Sequence, residues 1–120
     1  MKILIVDDSK AMRMIVMRTL KKTEIGSFTS LEASNGKEAL EVIANESPDL
    51  VLSDWNMPEM KGIDLLRKVR ESGNSVRFGF ITSESSTETR ELAIETGANF
   101  LVTKPFTADS IQVALDPILS

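Results

Sequence analysis

Polar side chains follow four short apolar stretches of this sequence. The residues in these positions are Asp7 and Asp8, Asp54, Thr82 and Lys104. Carboxylate oxygens are the ligands that Mg²⁺ takes in proteins, and Mg²⁺ usually keeps room for phosphate oxygens beside them. A lysine and a hydroxyl next to such an ion would complete a site for phosphoryl transfer, a reaction that depends mainly on placement and charge neutralisation. With a carboxylate as the nucleophile, the product would be an acyl phosphate.

The segments that must position these groups alternate between predicted strands and predicted helices. Strands are expected at 2–6, 28–33, 50–52, 76–82 and 100–102. Helices are expected at about 37–45, 63–70 and 87–96, with a first helix that follows Ser9 and reaches about Leu20 and a last helix marked by apolar residues over 111–118. Strands that alternate with helices form a parallel sheet with helices on both faces, connected by right-handed crossovers. The predicted fold class is therefore α/β, with a single doubly wound sheet of five parallel strands.

Several finer expectations come from the apolar pattern of these segments. The first helix should be capped by Ser9 and should bury Met12, Ile15, Val16 and Leu20. The second strand is the most polar and is expected at an edge of the sheet. The helix at 87–96 is poorly amphipathic, with Leu92 and Ala93 as its buried residues. In the last helix, Pro117 should end or bend the final turn, which makes this helix short.

Ligands of open α/β sheets bind beyond the carboxyl ends of the strands, and four of the five predicted strands carry a polar group there. If the first and third strands are neighbours, their acids lie roughly 5 Å apart. Carboxylates that close repel one another, and the repulsion should raise at least one pKa unless a cation lies among them. Without Asp7, Asp8 and Asp54, the formal net charge of −4 would become −1. Most of the excess acidity is therefore expected at this one site.

The composition excludes several classes of function. The 120 residues include no Cys and no His, which removes thiol nucleophiles, imidazole bases and standard zinc sites. The 14 basic residues against 18 acidic ones argue against a nucleic-acid partner and against an anionic membrane surface. No apolar stretch approaches a membrane span, and the first one is too short for a signal peptide. We therefore expect one domain over residues 1–120, located in the cytoplasm.

Each of these signals has an ordinary structural explanation when it is taken alone. An Asp at a strand end is commonly a helix cap or a turn residue. A Lys before Pro is commonly a solvated loop residue, and Thr favours strands by propensity. Trp55, directly after Asp54, is as readily explained by packing as by a role in the site. The ordered combination of all four signals is what favours one shared site.

The combination resembles the receiver domain of two-component response regulators, and in particular the single-domain regulators of chemotaxis. The motifs that carry the resemblance are Ile5-Val6-Asp7-Asp8, Asp54-Trp55-Asn56-Met57-Pro58, Ile81-Thr82 and Lys104-Pro105-Phe106. It extends from Lys2 to about Leu119. Proteins of this family have a flavodoxin-like sheet, and the strand order 2-1-3-4-5 is implied by the resemblance alone.

The resemblance implies a role for each residue of the site. Asp54 is the phosphoacceptor and takes its phosphoryl group from the phosphohistidine of a histidine kinase. Mg²⁺ is bound by Asp8, by Asp54, by the backbone carbonyl of Asn56, and by Asp7 through an intervening water. The domain then changes its affinity for a downstream protein. It promotes its own phosphorylation and dephosphorylation and is not an enzyme acting on a foreign substrate.

The resemblance also implies how the phosphorylated form is read. Thr82 and Lys104 contact the phosphoryl oxygens, the Lys104–Pro105 bond is cis, and the face formed by helix four, strand five and helix five binds the target. Asn56 and Glu84 flank the site in the manner of short-lived phosphorylated forms. The sequence departs from the family at Leu101, where relatives have an aromatic side chain that rotates inward. Phe100 is adjacent but should point to the opposite face of the sheet.

Two other functions remain open on the residues alone. A phosphohydrolase of the haloacid-dehalogenase type also uses an Asp nucleophile, Mg²⁺, a Thr or Ser and a Lys, but it has Asp-x-Asp after the first strand. A flavodoxin-like electron carrier, or an inert scaffold of the same fold, would offer Ser, Thr or Gly to a phosphate where this chain has Asp7 and Asp8. Within the resemblance, the chain could be free-standing or an excised receiver domain, and we expect a stand-alone regulator that acts by protein contact.

Overall fold

The computed structural model describes residues 1–84 and 86–119, and these contain five strands and five helices. The last residue of the predicted domain, Ser120, lies outside the described residues. The strands are β1 (Lys2–Val6), β2 (Thr29–Ala33), β3 (Leu50–Ser53), β4 (Arg77–Thr82) and β5 (Phe100–Thr103). The helices are α1 (Lys10–Lys21), α2 (Gly36–Glu46), α3 (Gly62–Glu71), α4 (Thr87–Thr96) and α5 (Ala108–Leu119).

The strands form one parallel sheet in the order β2-β1-β3-β4-β5, which confirms the predicted fold class and strand order. The most polar strand, β2, is at an edge, as predicted. All of the predicted elements are present, and their bounds differ from the predicted ones by three residues or fewer. No helix of the described part of the chain is long and apolar enough to cross a membrane.

The sheet separates two apolar cores because alternate residues of each strand point to opposite faces. In β1, Leu4 and Val6 join a core with α2, α3 and α4, whereas Ile3 and Ile5 join a second core with α1 and α5. All four side chains are buried. A strand covered on both faces needs a continuous apolar run, which is why β1 reads Ile-Leu-Ile-Val without alternation. The same arrangement places the end of β1, where the acids begin, between the two cores.

The predicted Ser9 cap is confirmed, since its side chain accepts a hydrogen bond from the backbone N–H of Met12 at 3.2 Å. Two residues that were predicted to be buried are exposed. Ile15 is 47% exposed because the face of α1 toward the sheet is centred on Val16 and Leu20, and Ile15 lies beside that face in an open groove with Pro105 and Phe106. Leu92 is exposed because α4 buries only Ala93 among its described side chains.

The expectation of a short last helix is also wrong. α5 continues past Pro117 to Leu119 and has 12 residues, as many as α1. A proline in a helix removes a backbone hydrogen bond and crowds the preceding turn. Here the last turn is held by its packing, because Ile118 and Leu119 lie against the core formed by α1 and α5.

Candidate functional site

Three acids meet at the carboxyl edge of the sheet, as the sequence predicted. Asp7 and Asp8 follow β1, and Asp54 follows β3; these strands are neighbours in the sheet, with Val6 paired to Ser53. Each acid offers a carboxylate oxygen within 4.8 Å of the others. Asp7 is buried, Asp54 is half-buried and Asp8 is exposed, so the cluster opens toward solvent on the side of Asp8.

Lys104 reaches this cluster from the end of β5, two strands away from β3. Its Nζ lies 3.6 Å from Oδ1 of Asp54 and 3.8 Å from Oδ2 of Asp7. The long lysine side chain crosses the end of β4 to do so. One ammonium group therefore faces three carboxylates, and the cluster remains negative when all four groups are charged.

Burial raises the pKa of the Asp7 carboxyl, and the charges of Asp54 and Asp8 raise it further. The backbone N–H of Ser9, which donates to Oδ1 of Asp7 at 2.9 Å, and the charge of Lys104 lower this pKa but do not offset the burial. From the sequence, repulsion between acids was expected to raise at least one pKa. The direction is confirmed, and the largest cause is burial, since Asp7 is only 6% exposed.

The Asp54 carboxylate is held by its own loop. Its Oδ1 accepts a hydrogen bond from the Trp55 backbone N–H at 2.8 Å, and the Trp55 carbonyl accepts one from the Gly62 N–H at 2.9 Å. A Cβ on Gly62 would overlap the Asp54 carbonyl oxygen, so this position accepts only glycine without displacing Asp54. Trp55 is buried edge-on against Phe80, with ring centroids 4.9 Å apart. The structure therefore confirms that Trp55, the residue next to Asp54, has a packing role.

Thr82 lies at the end of β4 and is fully buried. Its Oγ1 accepts a hydrogen bond from the backbone N–H of Glu84 at 3.0 Å, which leaves the hydroxyl hydrogen free to donate. The Thr82 carbonyl accepts a hydrogen bond from the Lys104 backbone N–H at 2.8 Å, so the pairing of β4 and β5 continues to Lys104. Asn56 is exposed in the loop after Asp54, and no hydrogen bond within the described residues joins it to the acids.

The end of β5 agrees with the resemblance in a cis peptide bond and departs from it at Leu101, which has no aromatic ring. The Lys104–Pro105 peptide bond is cis, as the resemblance implied. Leu101 and Phe100 point to opposite faces of the sheet, as predicted, because Leu101 packs on the core of α2, α3 and α4 and Phe100 on the other core. The Phe100 ring covers Gly79 of β4, where a Cβ would overlap the ring.

Two residues that support the site were not singled out from the sequence. Gly62 lies against the Asp54 backbone, and Arg13 of α1 donates from Nη1 to the Asp7 carbonyl at 2.6 Å and from Nε to Glu32 at 2.9 Å. A glycine or arginine near the start of a helix carries no specific signal in a sequence. These two could be recognised only from the fold, which brings the end of β1 beside α1 and the end of β3 beside α3.

The donor set fits a hard divalent cation. Three carboxylates supply oxygen ligands at one place, and the single lysine beside them leaves the cluster with excess negative charge. None of these four residues has a sulfur or imidazole ligand, which softer metal ions prefer. The buried Thr82 hydroxyl and Lys104 lie around the same edge as donors for a tetrahedral anion. This arrangement can hold a phosphoryl group beside a carboxylate nucleophile.

Comparison with known proteins gives the same family throughout. The family described as "Response regulator receiver domain" matches residues 3–116. Chemotaxis protein CheY-3 of Vibrio cholerae is 41% identical over 120 residues, covering 98% of this chain and 91% of the relative. Chemotaxis protein CheY1 of Helicobacter pylori is 38% identical over 122 residues, covering 99% of this chain and 97% of the relative.

Solved structures agree with these relatives. Chemotaxis protein CheY4 of Vibrio cholerae superimposes with a TM-score of 0.87 at 30% identity, covering 98% of each chain. A response regulator receiver domain protein of Clostridium thermocellum superimposes with a TM-score of 0.84 at 27% identity, covering 97% of this chain and 91% of the other. With its sheet order, its acidic edge and these relatives in agreement, the chain belongs to the response regulator receiver domain family.

Proposed function

We propose that the chain is a phosphorylation-activated signalling switch in which Asp54 accepts a phosphoryl group from the phosphohistidine of a histidine kinase. The observation that carries this proposal is the meeting of Asp7, Asp8, Asp54 and Lys104 at one edge of the sheet. The relatives named above are chemotaxis proteins, which supports a role in chemotaxis or a related two-component pathway. The proposal covers one receiver domain over residues 1–120 and a cytoplasmic location, as the resemblance implies.

The transfer would use the Asp54 carboxylate as the nucleophile. Both described contacts of this carboxylate, the Trp55 N–H and the Lys104 ammonium, go to Oδ1, which leaves Oδ2 for attack on phosphorus. A bond forms between Oδ2 and phosphorus as the bond between phosphorus and the imidazole nitrogen breaks. The nitrogen leaves with the electron pair, and the product is an acyl phosphate on Asp54.

The metal ligands in this proposal are Asp8, Asp54 and the carbonyl of Asn56, with Asp7 acting through an intervening water. A bound Mg²⁺ supplies neutralisation of the negative charge on the phosphoryl oxygens. The chain itself supplies the remaining positive charge and the remaining donor. Lys104 would pair with one phosphoryl oxygen, and the buried Thr82 hydroxyl would donate to another.

Thr82 also connects the site to the face that we propose for target binding. Thr82 pairs with Thr103 across β4 and β5, and Thr103 Oγ1 accepts a hydrogen bond from Nη2 of Arg90 in α4 at 3.0 Å. A movement of Thr82 toward the phosphoryl group would therefore reach α4 through adjacent groups. The change in affinity would then occur on the face of α4, β5 and α5, where a downstream protein binds.

The test is mass spectrometry of the intact protein after treatment with acetyl phosphate and Mg²⁺. We expect one added phosphoryl group in the unmodified chain and none in Asp54→Asn. The matched control is Asp64→Asn, which removes an exposed carboxylate of α3 and should leave labelling unchanged. Labelling that persists in Asp54→Asn would reject the assignment of the acceptor. Sustained release of phosphate from small phosphate esters would instead indicate a phosphohydrolase.

A further inference from the structure

Arg13 of α1 lies beside the acids of the candidate site, and its side chain is only 13% exposed. Its Nη1 donates to the backbone carbonyl of Asp7 at 2.6 Å, and its Nε donates to Oε1 of Glu32 in β2 at 2.9 Å. A guanidinium presents its donors in a rigid planar fork, so two hydrogen bonds from one fork fix the relative positions of their acceptors. Arg13 therefore connects the end of β1 to both α1 and β2.

The backbone of Asp7 is held on both sides. Its N–H donates to the Ala33 carbonyl at 3.1 Å, and its carbonyl accepts the hydrogen bond from Arg13. That carbonyl belongs to the peptide group between Asp7 and Asp8, and a peptide group is planar. Because Arg13 holds the oxygen of this plane, it also sets the direction in which the chain enters Asp8.

The Asp8 carboxylate depends on its backbone more than the other two acids do. The Asp7 carboxylate accepts a hydrogen bond from the Ser9 N–H, and the Asp54 carboxylate accepts one from its own loop. The Asp8 side chain is exposed, and no hydrogen bond or ion pair to another described residue holds it. Its place within 4.8 Å of the other two carboxylates therefore depends on the peptide plane that Arg13 fixes.

We infer that Arg13 is a positioning residue for the divalent cation, because it holds the Asp7–Asp8 peptide so that the Asp8 carboxylate stays where one ion can join it to the other acids. Groups that support metal ligands in this way contribute to the affinity for the metal. The charge of Arg13 acts in the opposite direction, since a cation beside the cluster weakens the attraction of the acids for a metal ion. The inference rests on the proposed function, in which Mg²⁺ binds at these acids.

The two effects predict opposite results when Arg13 is replaced by methionine. Mg²⁺ binding is measured at constant ionic strength by the fluorescence of Trp55, the single tryptophan of the chain, which follows Asp54 directly. If charge decided the affinity, Arg13→Met would bind Mg²⁺ more tightly. We expect instead a dissociation constant about tenfold higher, as for the loss of other groups that support metal ligands. The matched control is Arg18→Met, which removes an exposed cation of the same helix and should change the affinity little.

Arg13→Lys separates geometry from charge. Lysine keeps the charge but replaces the planar fork with a single ammonium group on a flexible stem, so we expect an affinity between those of the unmodified chain and Arg13→Met. A second measurement needs no metal. In EDTA, hydrogen exchange of the Ser9 amide, which donates to Asp7, should become faster in both Arg13 variants relative to the amides of β3 at the centre of the sheet. Arg18→Met should leave this ratio unchanged.

Equal or tighter binding of Mg²⁺ by Arg13→Met would overturn the inference. A loss of stability in urea, with the Mg²⁺ affinity and the Ser9 exchange ratio unchanged, would also overturn it, because Arg13 would then only support the fold. If Arg13→Met does not fold, Arg13→Lys decides the question, and an affinity and exchange ratio equal to those of the unmodified chain would count against the inference. Failure of the proposed function is a separate result: Asp54 is not labelled by acetyl phosphate, while the Mg²⁺ affinities still follow the expected order.

Discussion

Asp7→Asn should stabilise the folded protein when no divalent cation is present. Asp7 is 6% exposed and lies within 4.8 Å of two other carboxylates, so its charge is buried among like charges. Asparagine has nearly the same shape, and its Oδ1 can still accept the bond from the Ser9 N–H at 2.9 Å. The substitution therefore removes a charge and leaves the local hydrogen bond in place.

The magnitude follows from the distances in the cluster. With an effective dielectric constant of about 20, two carboxylates at the 4.8 Å upper limit of their separation repel by about 3.5 kcal/mol, so at this limit Asp8 and Asp54 together oppose a charged Asp7 by about 7 kcal/mol. By the same relation, the attraction between Lys104 and Asp7, whose charged atoms are 3.8 Å apart, favours a charged Asp7 by about 4.4 kcal/mol. The balance of these charges is about 2.5 kcal/mol against a charged Asp7. The exposure of Asp8 reduces this balance, and the burial of Asp7 increases it. We expect a gain of about 2 kcal/mol in the free energy of unfolding.

The assay is urea unfolding at pH 7, followed by far-ultraviolet circular dichroism, with EDTA or with excess Mg²⁺. In EDTA, Asp7→Asn should unfold at higher urea than the unmodified chain with an unchanged dependence on urea. Mg²⁺ should stabilise the unmodified chain more than the variant, because binding to the folded state is favoured by the full set of carboxylates. Asp64→Asn is the control and should change the free energy of unfolding by less than about 1 kcal/mol, since its pair with Arg67 is half exposed.

The dependence on pH gives a further check with a fixed sign. Because the pKa of Asp7 is raised in the folded state, its charge opposes folding at pH values above the raised pKa. Below 3.8, the ordinary pKa of this carboxyl in the unfolded chain, the group is neutral in both states and the opposition disappears. The advantage of Asp7→Asn should therefore shrink as the pH falls from neutral toward that value. An Asp7→Asn variant that is no more stable than the unmodified chain in EDTA would show that the charge of Asp7 does not oppose folding.

Two glycines give further predictions. Gly62→Ala places a Cβ against the Asp54 carbonyl oxygen, closer than the two atoms can approach, so we expect slower labelling by acetyl phosphate and a loss of stability of about 1–3 kcal/mol in urea unfolding. Unchanged labelling would show that Asp54 tolerates the displacement. Gly79→Ala should also cost about 1–3 kcal/mol, because its Cβ would overlap the Phe100 ring. Adding Phe100→Leu should recover part of this loss, and strictly additive effects in a double-mutant cycle would contradict the contact.

The fold was predictable from the sequence because its main signals are local. The apolar run at the start of the chain can only be covered on both faces, and the alternation of such runs with amphipathic segments requires a parallel sheet. The edge position of β2 followed from its polarity in the same way. The acids of the site were also predictable, because parallel strands bring their carboxyl ends to one edge whatever their separation in sequence.

The incorrect predictions concern residues whose environment is set by distant segments. Ile15 and Leu92 have the residue type and spacing of buried positions, yet they are 47% and 40% exposed because the elements around them cover them only in part. Pro117 would end an isolated helix, but Ile118 beyond it packs on the core, and packing outweighs the local preference of the proline. Gly62 was missed for the same reason, since its constraint comes from the Asp54 backbone.

The distribution of charge is where the structure changes the interpretation most. From the sequence, most of the excess acidity was expected at the metal site, since removing its three acids leaves a formal charge of −1. The structure brings Lys104 within 3.8 Å of two of those acids, and Arg13 binds the carbonyl of Asp7. Two cations thus lie at the site, whereas the surface of α4, β5 and α5 keeps a net charge of −4 with its acids outside any described ion pair. A cation at the site would relieve crowding among its three carboxylates, but the charge of α4, β5 and α5 belongs to other residues and does not depend on that cation. In the proposed function, this charge would contribute to the choice of partner, while phosphorylation of Asp54 would set when the partner binds.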